Sequence, residues 1–178
     1  IPTSVASIGK SAFSGCSNLE SIIIPASVTS ISNCAFSNCS KLQSIYVESA
    51  NLNYATIEGI LFTKNFERLL CFPVNHRFSH YDIPTGVTSI DNFAFSYSEN
   101  LQSITIPTSV TSIGKSAFSD CSHLESITIP TSVTSIGDSA FYKCSNLQSI
   151  TIPTSVTSIG NSAFYGCSNL QSITIPTS

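Results

Sequence analysis

The dipeptide Ile-Pro recurs at Ile1, Ile24, Ile83, Ile106, Ile129, Ile152 and Ile175, and every interval but one is 23 residues. A fixed period of this length marks a chain built of stacked units, because one unit has too few inward side chains to offset the entropy of ordering its own backbone. The exception, from Ile24 to Ile83, divides into one 23-residue row ending at Tyr46 and a 36-residue unit, Val47–Asp82. The predicted organisation is a single array over residues 1–178. Two rows occupy 1–46, the long variant unit 47–82 and four rows 83–174, and 175–178 open a further row.

Each row reads as three short segments. In Leu124–Pro130, Ile127 and Ile129 share one face and Ser126 and Thr128 the other, the alternation of a half-buried strand that Pro130 ends. Val133–Ile136 is β-branched and predicts a second short strand, with Gly137 supplying a positive φ at the corner. Ala140, Phe141, Cys144 and Leu147 then recur at helical spacing and predict a short helical or 3-10 segment, with Asn146 as a left-handed exit residue. Stacking sets equivalent residues in ladders about 4.8 Å apart.

Composition narrows the function. Apolar residues are 42% of the chain, enough for a core, while charged residues are 10% and the net charge is −3. Seven scattered Lys and Arg form no surface for a phosphate backbone, so no nucleic-acid partner is expected. Apolar runs such as Ile22–Ala26 are far short of the roughly 20 residues of a membrane span, so no membrane insertion is expected.

The row pattern L-x-x-I-x-I-P-x-x-V-T-S-I-G-x-x-A-F-x-x-C-x-x-L resembles the BspA-like class of leucine-rich repeats over essentially the whole chain. Within the long unit, Asn53-Tyr54, Glu58–Phe62 and Leu69–Pro73 resemble that family's hairpin-bearing variant repeat. The asparagine ladder of ordinary leucine-rich repeats is replaced by Ser4, Ser27, Ser109, Ser132 and Ser155, with Gly86 in the row that begins at Ile83. The resemblance implies a right-handed solenoid with a concave parallel sheet, and a surface or secreted, adhesin-like role without enzymatic activity.

In the long unit, Gly59–Thr63 and Arg68–Phe72 flank Lys64-Asn65-Phe66-Glu67 and predict a β-hairpin, in either of two placements: joined to the main sheet or projecting from it. Phe78–Ile83 aligns with Leu101–Ile106, so the array resumes in register. The chain opens at Ile1-Pro2 and stops at Ser178 within a row, which reads as a segment of a longer array with open edge strands and possible end-to-end association.

Cys16, Cys39, Cys121, Cys144 and Cys167 hold one row position and read as small buried free thiols, while Cys34 and Cys71 lie off that ladder. Cys71, His76, His80 and Asp82 are the tightest set of candidate metal ligands, but their spacing is loose for zinc, and surface scatter is the favoured reading. His123 stands where other rows carry Asn18, Asn146 and Asn169. With 35 serines, a Ser near a His is no signal of nucleophilic catalysis, and the carboxylates form no repeated pair. No cofactor is called for.

The outward positions of the Ser-Ile-Thr strands locate the best candidate surface. They are monotonous in the last four rows, at Ser103/Thr105, Ser126/Thr128, Ser149/Thr151 and Ser172/Thr174, but change earlier to Ile23, Tyr46 with Glu48, and His80 with Asp82. These five residues form the candidate site for a host, matrix or cell-surface protein. Phe93, Tyr97, Tyr142 and Tyr165 form a second candidate patch on the side of the predicted helical segment. Two other readings are an ice- or crystal-binding hydroxyl ladder, disfavoured by a twisted sheet, and a purely structural spacer.

Overall fold

Pairing between rows organises this chain. The computed structural model describes residues 1–174; the expected opening of a further row at 175–178 lies outside them. Sixteen strands are β1 Ser7–Ile8, β2 Ser21–Ile24, β3 Ser30–Ile31, β4 Ser44–Val47, β5 Tyr54–Ile57, β6 Ile60–Thr63, β7 Arg68–Cys71, β8 His80–Asp82, β9 Ser89–Ile90, β10 Ser103–Thr105, β11 Ser112–Ile113, β12 Ser126–Thr128, β13 Ser135–Ile136, β14 Ser149–Thr151, β15 Ser158–Ile159 and β16 Ser172–Thr174. Equivalent strands pair in parallel with a 23-residue offset, as in Ser103↔Ser126 and Ser112↔Ser135. The result is a β-solenoid.

The main sheet is divided. Strands β2 and β4 pair alone, and β8, β10, β12, β14 and β16 form a separate five-stranded sheet. The predicted hairpin is present as β6 and β7, and it joins the sheet of short second strands, where Arg68 and Leu69 of β7 pair with Ser89 and Ile90 of β9. Sequence reasoning missed β5, which pairs antiparallel with β6 through the turn Glu58-Gly59. Both turn residues have positive φ, 52° and 84°, the signature of a two-residue hairpin turn, and a Cβ on Gly59 would lie 2.9 Å from the Ser44 side chain.

The predicted helical segment is not a helix, and no described residue is helical. Alternate amides donate across rows: Phe93, Phe95 and Tyr97 to the carbonyls of Lys115, Ala117 and Ser119, and Ser116, Phe118 and Asp120 to those of Asp138, Ala140 and Tyr142, all at 2.7–2.9 Å. The intervening amides close local turns, as in Ala140 to Gly137 and Cys144 to Phe141, both at 3.2 Å. A carbonyl in the next row competes successfully with the carbonyl four residues back, and left-handed Ser139 (φ 54°) and Lys143 (φ 55°) alternate the donors outward. The left-handed positions are therefore these, not Asn146 or Gly137. Gly137 is needed for close approach, since a Cβ there would lie 2.6 Å from the backbone of Gly114.

Stacking also aligns side chains. Phe72, Phe95, Phe118, Phe141 and Phe164 form a column with successive ring centroids 4.9–5.3 Å apart. Ser27, Ser109, Ser132 and Ser155 donate to the carbonyls of Val5, Val87, Val110 and Val133 at 2.6–2.7 Å. The thiols of Cys39, Cys121, Cys144 and Cys167 donate to the carbonyl of a phenylalanine in the preceding row, at 3.0–3.1 Å. All seven cysteines are free, but of the five on the ladder only Cys39, Cys121 and Cys144 are buried: Cys16, in the first row, is exposed and Cys167, in the last full row, is half-buried.

Two apolar cores meet at the long unit. Leu61 packs with Ile22, Phe36 and Leu42 on the side of the first two rows, whereas Ile60 and Phe62 pack with Leu69, Phe95 and the later rows. Strand β6 is thus buried on both faces, which explains its unbroken apolar run. Asn51, fully buried, replaces the serine ladder there: its Nδ2 donates to Pro25 O and Val28 O, both at 2.9 Å, and its Oδ1 accepts the Asn53 and Tyr54 amides at 2.8 and 2.9 Å.

Candidate functional site

The five strand-face residues fall into two groups. Ile23 and Tyr46 face each other in the β2–β4 pair and are 57% and 52% exposed. Glu48 lies just beyond β4, where its Oε2 accepts the Ala26 amide at 2.8 Å and its own amide donates to Ile24 O at 3.0 Å. His80 and Asp82 project from β8 in the other sheet. The sequence reading set the two groups in adjacent rows; the structure interposes the β5–β6 turn, because the Ile45 amide donates to Gly59 O at 2.8 Å and so pairs with the turn instead of with β8.

That interruption opens a depression of about 700 Å³ on the strand face, within the usual size of a binding pocket. Tyr46 and Ser44 line one side, Thr56 and Glu58 the hairpin, and Arg77 and Asn100 the other side. Arg77 is 3.8 Å from Glu58 and lies 5.0 Å from the Phe78 ring centroid, so an aromatic ring, a cation and a carboxylate share one concavity. Thr56, Glu58, Arg77 and Asn100 escaped the sequence reading, which followed the outward positions of regular strands. The signal available was the break in the repeat itself.

His80 is fixed on both sides: Nδ1 is 2.7 Å from Ser103 Oγ and Nε2 is 3.1 Å from Asp82 Oδ1. The Thr105 hydroxyl, and then His80, hold the Asp82 carboxyl below the usual carboxylate range. This Ser-His-Asp chain is solvent-exposed, with side-chain exposures of 53% and 73% at His80 and Asp82. A nucleophilic centre works through a dry site with oxyanion donors. Here the chain holds a polar anchor in one orientation.

The candidate metal ligands diverge. His76 is buried, its Nδ1 accepts the Phe78 amide at 3.4 Å, and its Nε2–H donates to Glu58 O at 2.9 Å, so it buttresses the β5–β6 turn. Burial pushes the His76 pKa down and the Cys71 thiol up to about 12. Among the described residues no three His, Cys, Asp or Glu side chains form a metal site.

The second patch also divides. Tyr142 and Tyr165 stack with centroids 5.3 Å apart and planes 11° from parallel, and Lys143 Nζ lies 5.3 Å from the Tyr142 ring centroid. Tyr97 heads the ladder position continued by Asp120 and Lys143, and burial, reinforced by Asp120, raises its pKa. Phe93 instead lines a separate cleft on the turn side, beside Cys34 and Phe36.

Comparison with known proteins is consistent with this architecture. No curated protein matches the chain. Among solved structures, the pneumococcal vaccine antigen PcpA superposes with a TM-score of 0.90 at 26% identity, over 97% of this chain and 49% of that one. A leucine-rich repeat protein from Eubacterium ventriosum gives 0.87 at 30% identity, over 99% and 54%. A leucine rich cell surface protein from Faecalibacterium prausnitzii gives 0.75 at 33% identity, over 97% and 52%. The chain thus spans about half the length of each. The family model described as a BspA type leucine rich repeat region in six copies matches residues 1–67 and 68–178, and the chain belongs to that family.

Proposed function

We propose that the array is a cell-surface or secreted recognition scaffold that binds a protein partner through the strand face around the interrupted unit. The observation that carries this reading is the depression beside Tyr46, where exposed Ile23 and Tyr46 adjoin Glu58 and Arg77. Exposed aromatics beside a desolvatable cation are the anchors from which protein interfaces draw most of their energy. The rows from 83 to 174 offer only short hydroxyls at the equivalent strand positions. The surface compartment rests on kinship with proteins described as a cell surface protein and a vaccine antigen.

The test is retention of the chain on immobilised extracellular-matrix protein fractions, followed by titration against the retained component. Tyr46→Ala combined with Asp82→Ala is expected to weaken binding about tenfold or more with the unfolding midpoint preserved. Tyr142→Ala combined with Tyr165→Ala is expected to bind as the parent does. Parent-like affinity in the first pair removes the strand-face site.

A further inference from the structure

The break in the array also leaves a charged hollow on the turn side, away from the strand face. The tenth position of successive rows is held by Lys10, Asn33, Asn92, Lys115, Asp138 and Asn161. In the later rows a side chain here caps the next row: Asn92 Oδ1 accepts the Lys115 amide and Asp138 Oδ1 the Asn161 amide, both at 2.7 Å. Asn33 meets no such amide, because the long unit intervenes. The Cys34 amide likewise has no acceptor among the described residues, whereas its counterparts Phe93 and Ser116 donate to Lys115 O and Asp138 O at 2.9 and 2.8 Å.

Asn33 and Cys34 line a hollow of about 480 Å³ together with Lys10, Ser32, Phe93 and Lys115. Two ammonium groups and no carboxylate border it, in a chain with seven Lys and Arg against ten Asp and Glu. Neither lysine forms an ion pair among the described residues. The carboxylates of the neighbouring rows are engaged, Asp91 with Arg68 at 2.7 Å and Asp138 with the Asn161 amide. Both lysine charges bear on one point: burial pushes the Cys34 thiol up, and the Ser37 hydrogen bond, Lys10 and Lys115 oppose that rise.

We infer that this hollow binds a sulfated sugar unit of an acidic polysaccharide. The sulfate accepts from the Lys10 and Lys115 ammoniums, the Asn33 carboxamide and the Cys34 amide, and the sugar ring lies against Phe93 with Ser32 at its hydroxyls. Three observations select this occupant. Two cations without a carboxylate select an anion. Neutral donors left without partners beside those cations match an oxyanion with several acceptor oxygens better than a carboxylate with two. The volume lies within the roughly 300–1,000 Å³ of small-molecule sites, more than a bare ion fills and enough for a sugar ring on the one aromatic wall. The hollow shares no residue with the strand-face site, so either reading can fail alone.

The probe is a fully sulfated heparin disaccharide, titrated into isotopically labelled protein. The Asn33 and Cys34 amide resonances are expected to shift saturably. Lys10→Gln combined with Lys115→Gln, both at exposed positions, is expected to weaken binding about tenfold or more with the unfolding midpoint unchanged. Lys41→Gln combined with Lys64→Gln makes the same change in net charge away from the hollow and is expected to bind as the parent does. The desulfated disaccharide, and a hyaluronan fragment that carries carboxylates alone, are expected to bind about tenfold more weakly or not at all. Absence of saturable shifts at Asn33 and Cys34, equal losses in the two double variants, or equal binding of either sulfate-free saccharide overturns the proposal. The saccharide comparison is made on the parent protein, so it decides the matter even where a variant is destabilised.

Discussion

The rows from 83 to 174 and the unit from 47 to 82 use the same ladders to opposite ends. In the regular rows the strands, the turn amides, the ladder serines and the column phenylalanines meet their own kind 23 residues away, so the strand face is a repetition of hydroxyls. In the long unit the chain leaves that path for a three-stranded meander, dividing the main sheet, the phenylalanine column and the core. Open clefts appear on both faces at that point. A solenoid acquires an individual binding surface where its periodicity is broken.

The largest effects should come from the cores that the two regions share out. Phe118→Ala, between two stacked rings, is expected to cost about 3–5 kcal/mol in denaturant unfolding. A loss below about 0.5 kcal/mol would put this residue on the surface. Leu61→Ala, on the wall between the cores, is expected to cost about 2–5 kcal/mol and to loosen rows 1–46 first. Hydrogen exchange that stays equally slow in both halves would show that β6 is not the joint.

Smaller effects sharpen the contrast between ladders. Asn51→Ala is expected to destabilise by about 2–3 kcal/mol, because Pro25 O, Val28 O and the Tyr54 amide all lose a partner. Ser132→Ala, which removes one bond to Val110 O, is expected to cost about 1 kcal/mol. Equal losses would mean that the asparagine is no more than another ladder residue. Tyr81, in the place of a ladder isoleucine, has a buried hydroxyl without a partner among the described residues. Tyr81→Phe is expected to raise the unfolding free energy by about 1 kcal/mol, and a decrease would reveal a hydrogen bond at that oxygen.

The smallest effect is pH-dependent and confined to the interrupted unit. Burial holds His76 below its ordinary 6.5, so as pH falls the unfolded chain takes up a proton before the folded one. The contribution of His76 is complete above about 6.5 and is lost as pH drops below it. Thermal midpoints should therefore decline more in the parent than in His76→Gln between about pH 7 and about pH 5. Parallel declines would assign the sensitivity elsewhere.

Reading the sequence was enough for the 23-residue rows, the two strands per row, the β6–β7 hairpin, the free thiols and the family, because each rests on local alternation or on repetition. The helical segment was misread from a true apolar spacing: the side chains of Ala140, Phe141 and Cys144 do turn inward, but the amides choose partners in another row. Tyr46 and Asp82 were rightly seen as breaks in the monotony, yet placed side by side. Their separation depends on where the Glu58-Gly59 turn docks. Strand β5 and Asn51 lay in a stretch with no repeat to align against.

What the amino-acid order determined alone is therefore the periodic part, in which each residue's environment is its own image in the neighbouring row. Tertiary structure alone decided the division of the sheets, the two-sided burial of β6 and the two clefts. Those follow from hydrogen bonds between segments that share no pattern, such as Ile45 with Gly59, His76 with Glu58 and Phe72 with Ala94. The choice among backbone partners of equal chemistry is made by where the packed chain brings them.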